Sequence, residues 1–168
     1  LEQGLGGQAR VIPEGLGGRT TAFDDFSAAA DRNGARILPT LLATHNPLDA
    51  VVIMLGTHDL KPFLGRNALE ASRGVARLVE IVRAHCGATM PIVLMAPPHI
   101  SDTQHPEMLL HFGGQPAIDE SRQFAKWYRQ RAEELGTAFV DASTCARPAP
   151  NDGVHLGAAN TQAIGDGL

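Results

Sequence analysis

The sequence predicts an α/β domain: a three-layer α/β/α sandwich built on a parallel sheet. Two observations carry this. Short, continuous apolar runs alternate with stretches of helical periodicity along the whole chain. The runs are apolar at successive positions, as in strands covered on both faces, and do not alternate as half-exposed strands do.

The first candidate strand is Ala9-Arg10-Val11-Ile12, ending at Pro13. The second is Ala50-Val51-Val52-Ile53-Met54-Leu55, β-branched and closed by Gly56. The third is Pro91-Ile92-Val93-Leu94-Met95-Ala96, closed by Pro97-Pro98. The fourth is Thr137-Ala138-Phe139-Val140, closed by Asp141. Helices fill the gaps. Ile37 to Thr44 is a short one. Asn67 with Glu70 resembles a capping box, followed by Ala71, Val75, Leu78, Val79 and Val82 on one apolar face. A further helix is expected from Asp119, with Phe124, Trp127, Tyr128 and Leu135 on one side and Gly136 as its stop. Gly157 to Ile164 opens a last helix that the chain end cuts off. In parallel sheets ligands bind at the carboxyl ends of strands, so functional residues are expected just after each apolar run.

The chain has 168 residues, which corresponds to about one domain at roughly 150 residues each. Apolar residues make up 43% and charged residues 19%, enough apolar material for a core and too much for a disordered chain. The net charge of −4, without a Lys/Arg run, leaves no electrostatic footprint for nucleic acid or an anionic membrane surface. The longest apolar run, Ala50 to Leu55, is too short to span a bilayer. Cys86 and Cys145 cannot form a disulfide framework and read as two thiols in a reducing, cytoplasmic compartment.

Three strand ends carry chemistry. After the first comes Glu14-Gly15-Leu16-Gly17-Gly18-Arg19-Thr20-Thr21, whose glycines let backbone N–H groups approach a ligand. It matches neither a P-loop nor G-x-G-x-x-G, and alone a loop of this kind is more often only a turn. After the second comes Gly56-Thr57-His58-Asp59-Leu60-Lys61, where His58 is a site residue or a solvated loop histidine. After the fourth, a loop ends in Asn151-Asp152-Gly153-Val154-His155. An Asp three residues before a His can meet its Nδ1–H, fix the tautomer and leave Nε2 free as a general base. His99, His105 and His111 lack the fixed spacing of a metal site.

Together these segments resemble the SGNH (GDSL-type) hydrolases, in order and spacing, from Val11 to His155. Gly15 to Thr21 resembles that family's second block, Gly56-Thr57-His58-Asp59 its G-x-N-D block and Asp152-Gly153-Val154-His155 its D-x-x-H block. Glu14 to Thr21 and Ile53 to Asp59 are most similar to its bacterial arylesterase and acyltransferase subgroup. The resemblance implies a parallel, flavodoxin-like sheet and a serine esterase or acyltransferase acting on small esters, without metal or organic cofactor. Asp152 and His155 would be catalytic, and Gly18 N–H and the His58 side chain would line the oxyanion hole. From their strand-end positions, Arg19, Phe63, Pro97 and Pro98 read either as pocket wall or as surface and turn residues. The partner is a small-molecule ester, and a homo-oligomer stays open.

Two departures stand out. His58 occupies the family's Asn position. The GDS block is absent: Ser27, Ser72, Ser101, Ser121 and Ser143 all lack a Gly-Asp-Ser context after a strand. The nucleophile is therefore expected upstream, with Leu1 to Gly6 as the end of the helix that follows it. On this reading the chain is one SGNH-like domain, cut at both ends and lacking its first strand. A non-catalytic module that kept the pocket is the alternative. A flavodoxin-like nucleotide binder fits the element order but leaves Asp152 and His155 unexplained.

Overall fold

The computed structural model describes residues 1–168. Its centre is a three-stranded parallel sheet in the order β1 (Val51–Ile53), β2 (Ile92–Ala96), β3 (Ala138–Asp141). Val51 pairs with Ile92, and Val93 with Ala138, so the register brings the strand ends after Ile53, Ala96 and Asp141 to one edge of the sheet.

The faces of β2 sort the layers. Ile92, Leu94 and Ala96 enter a core formed with α1 (Gly34–His45), α2 (Ala68–Cys86), α4 (Gln115–Ser121) and α5 (Phe124–Leu135). Met95 points to the other face and packs with Ala142, Ala146 and Ile164 of α6 (Ala158–Asp166). Adjacent residues of one strand thus bury against opposite helical layers, as the continuous apolar run predicts.

The helices follow their patterns. In α2, Ala71, Val75, Leu78, Val79 and Val82 are all buried. Asn67 caps it by accepting from the Glu70 N–H at 2.9 Å. The Glu70 carboxylate turns to Arg66 at 3.1 Å, so only half of a capping box forms. The helix expected from Asp119 is two helices. Ser121, buried, donates to Ile118 O at 2.7 Å and accepts the Ile100 N–H at 2.9 Å. That tie to the β2–α3 connection ends α4, and the chain restarts as α5. A short α3 (Pro106–His111) precedes them.

The first expected strand needs correction. Ala9–Ile12 forms no strand, and Val11 and Ile12 are 39% and 38% exposed. A strand exists only through a partner, and none lies beside this segment. The neighbouring Thr20–Asn33 bridge is isolated. Leu1 to Gly6, by contrast, has the geometry of a helix end: the Leu5 N–H donates to Leu1 O at 2.9 Å, and the Gly6 and Gly7 N–H groups turn back to Gln3 O and Glu2 O at 3.1 Å. β1 is shorter than its apolar run for a related reason. It is the sheet edge, with Val52 and Met54 44% and 37% exposed.

Candidate active site

The loop after β3 builds the first half of the site. Asp152 Oδ1 accepts the N–H groups of Val154 and His155 at 2.9 and 2.8 Å. Its Oδ2 meets His155 Nδ1 at 2.9 Å. Burial raises the pKa of Asp152, but the hydrogen bonds from His155 and Val154 outweigh it and hold the carboxyl below its usual range. With Nδ1–H donated to Asp152, the Nε2 lone pair of His155 faces outward, and the side chain is 61% exposed. The loop is fixed from behind: Gly153 O accepts the Ser101 N–H at 2.9 Å, and His155 O accepts the Ala149 N–H at 2.7 Å.

The second half comes from the loops after Ile12 and β1. Gly56, at φ 132°, turns the chain out of β1 into a 3₁₀ turn, Thr57–Leu60. A Cβ at Gly56 would stand 2.2 Å from Tyr128 Oη, so glycine is required there. The turn presents His58 upward and Asp59 inward. Asp59 is fully buried and accepts from the Thr21 N–H at 2.8 Å and from Thr21 Oγ1 at 2.5 Å. Burial pushes its pKa up to about 6, against those two hydrogen bonds. Asp59 therefore straps the Gly-rich loop to the His58 turn.

Between the strapped loops, the Gly18 N–H donates to His58 Nε2 at 3.3 Å. The two groups expected to donate to an oxyanion face each other. The His58 ring packs on Phe112 at a centroid distance of 5.4 Å and lies 6.5 Å from the His155 ring. Burial, then the charges of Lys61, His155 and Arg32, lower the His58 pKa to about 4. The ring is neutral at neutral pH. Accepting at Nε2 puts its proton on Nδ1, which is buried without a partner.

The structure thus brings Gly18, His58, Asp152 and His155 together. It does not gather the expected pocket-wall residues. Arg19 folds back to donate to Glu14 O within its own loop. Phe63 is 56% exposed, and Pro97 and Pro98 are buried behind the end of β2. A cavity of about 450 Å³ opens between the ends of β2 and β3, beside His99, Ser101, Arg122, Ser143 and Arg147, and holds none of these predicted residues.

Sequence reasoning missed one cluster. Lys61 Nζ meets Asp25 Oδ2 at 2.6 Å, with both side chains buried, and Arg32 Nη1 reaches the same oxygen at 3.4 Å. The signal was a lysine inside an otherwise apolar turn, Leu60-Lys61-Pro62-Phe63, but its partner lies 36 residues away.

No serine in the chain reaches His155. The hydroxyls of Ser27 and Ser143 donate to Asp25 and Asp141, those of Ser72 and Ser121 to carbonyls of their own helices, and that of Ser101 to Asp102 O.

Residues 1–163 match the GDSL-like Lipase/Acylhydrolase family. Among solved structures, a carbohydrate acetylesterase family member from Sinorhizobium meliloti is 45% identical at a TM-score of 0.93, over 99% of this chain and 80% of that one. A second carbohydrate acetylesterase from the same organism is 33% identical at 0.89, over 98% and 78%. The aryl esterase of M. smegmatis is 34% identical at 0.90, over 99% and 79%. No curated protein matches the chain. The dyad at the strand ends had raised the expectation, and similarity along nearly the whole chain settles it: this protein belongs to the GDSL-like lipase/acylhydrolase (SGNH) family of ester hydrolases.

Proposed function

We propose that this domain cleaves small aryl or alkyl carboxylic esters through an acyl-enzyme, with water or an alcohol as the final acceptor. The observation that carries the reading is the 2.9 Å contact of Asp152 Oδ2 with His155 Nδ1, which leaves Nε2 to act as base. Nε2 takes the proton of a serine hydroxyl as it attacks the ester carbonyl. It then gives that proton to the departing alcohol. Asp152 keeps the tautomer and stabilises the imidazolium. Two of the similar structures are carbohydrate acetylesterases, which favours acetyl as the acyl group.

The nucleophile on this reading is a serine outside the 168 residues, on a strand beside the outer edge of β1. Support comes from the place of β1 at the edge of the sheet and from five serine hydroxyls that are all engaged away from His155. The developing oxyanion would be met by the serine's own N–H, by the Gly18 N–H and by the His58 ring. That requires the 3.3 Å Gly18–His58 bond to open and the ring proton to move from Nδ1 to Nε2, so that the ring can donate as the negative charge forms.

The same bond favours a second reading, a ligand-binding module with impaired chemistry, because it occupies the Gly18 N–H and leaves His58 Nε2 an acceptor. p-Nitrophenyl acetate hydrolysis by the full-length protein separates the two. Burst-phase release of nitrophenol, lost in His155→Ala, supports the esterase. Absent turnover in a folded protein that still binds the ester would favour the module.

A further inference from the structure

The proposed reaction uses His155, Asp152, Gly18 and His58. It leaves unexplained a buried ion pair. Asp25 and Lys61 are 0% and 2% exposed at the side chain and meet at 2.6 Å. Ser27 adds its N–H at 2.9 Å and its hydroxyl at 2.5 Å to the other oxygen of Asp25. Burial raises the pKa of Asp25, yet the Lys61 and Ser27 hydrogen bonds drive it well below the usual carboxylate range. A buried ion pair is weak evidence of stabilisation, since an apolar pair of similar shape often serves as well. Its position is more informative. Lys61 closes the turn that carries His58, and its N–H donates to His58 O at 3.5 Å. Arg32, 3.4 Å from Asp25, lies under Gly18: a Cβ there would be 2.6 Å from the guanidinium carbon. Gly18 has φ 86°, so only glycine fits this approach.

Resting on the esterase reading, we infer that Asp25, Lys61 and Arg32 form a positioning cluster. It clamps the Gly18 loop to the His58 turn and holds two positive charges beside the place where the oxyanion develops. The charged groups acting on His58 are Lys61, Arg32 and His155, which disfavour its protonation, and Asp25, which favours it. Burial is the first cause of the neutral ring, and the cations add to it against Asp25. Fixed charge in a partly dry site aids charge development without reorganisation.

The test uses full-length protein with ¹³C-labelled histidine. The double variant Asp25→Asn/Lys61→Met removes both charges without stranding either. It is expected to lower kcat for p-nitrophenyl acetate about tenfold or more at unchanged KM. The His58 titration should rise above about 4 in NMR and stay short of 6.5, because burial remains and the lost Asp25 charge offsets part of the lost Lys61 charge. Lys61→Arg, which keeps the charge, should restore both readouts. Arg32→Gln, at a side chain 25% exposed, should move both in the same direction by less, and it serves if the double variant does not fold. An unmoved His58 titration in a folded variant overturns the inference, whatever happens to kcat, because a structural clamp alone would lower the melting temperature without shifting that titration. If the wild-type protein hydrolyses no ester, the esterase reading fails by itself, while the titration still decides what the cluster does to His58.

Discussion

The two halves of the site are built in opposite ways. Asp152 and His155 form a local turn: the carboxylate binds the backbone and side chain of a residue three positions later, and the imidazole is 61% exposed. Gly18 and His58 are 40 residues apart and meet only because long-range contacts bring their loops together. Asp59 holds Thr21, and Asp25 holds Lys61, both through buried carboxylates. The base is thus separable from the fold, whereas the oxyanion side is part of it. Mutations in the first half should affect chemistry and spare stability. Mutations in the second should affect both.

The largest effect should come from the local half. His155→Ala is expected to lower kcat in the full-length protein by a factor on the order of 10⁴. Unfolding free energy should stay within about 0.5 kcal/mol, because the side chain is exposed. Urea unfolding beside an ester assay checks both, and a large stability loss would break the contrast between the halves.

His58→Asn probes the other half. It replaces a ring that accepts from Gly18 with an amide that can donate inward, and turnover should rise by roughly tenfold or more if His58 limits oxyanion binding. Unchanged kcat would remove that idea. The same variant should alter the acid response. The folded pKa of His58 is about 4, below its ordinary 6.5, so its contribution is complete above pH 6.5 and is lost as pH falls through 4. The wild-type protein should lose up to about 3 kcal/mol over that window that His58→Asn retains.

Asp59 works in the opposite sense. Its folded pKa, about 6, lies above the ordinary 3.8, so its contribution is complete below 3.8 and is lost as pH rises through 6. Asp59→Asn should therefore flatten the stability profile between pH 4 and 6. It should also cost about 1–3 kcal/mol if one of the Thr21 donors is left without an acceptor. Thermal melts across that range would show either result. The smallest effect should be Asn67→Ala, whose side chain caps α2 and bonds to neither half. Loss of the 2.9 Å cap on α2 should cost about 1 kcal/mol and leave kcat unchanged.

The same divide explains what could be read from the sequence. The buried face of α2, the Asn67 cap and the Asp152–His155 spacing are local patterns, and each appears in the structure where its residues placed it. Ala9–Ile12 reads locally as a strand as well as Ala138–Val140 does, but pairing decides, and only the latter has a neighbour. The break between α4 and α5 depends on Ser121 binding Ile100, a contact across 21 residues. His58 was identifiable as a departure from the family pattern. That its Nε2 would accept the Gly18 N–H, and that Lys61 would find Asp25, depended on how two distant loops pack.

The central claim is that His155 and Asp152 activate a serine that lies outside these 168 residues. Labelling the full-length protein with a serine-directed fluorophosphonate tests it most directly, read by intact mass and peptide mapping. The account predicts one label per chain, on a serine N-terminal to Leu1, and none in His155→Ala. A label on Ser27, Ser72, Ser101, Ser121 or Ser143, or no label on a protein that hydrolyses esters, would contradict it.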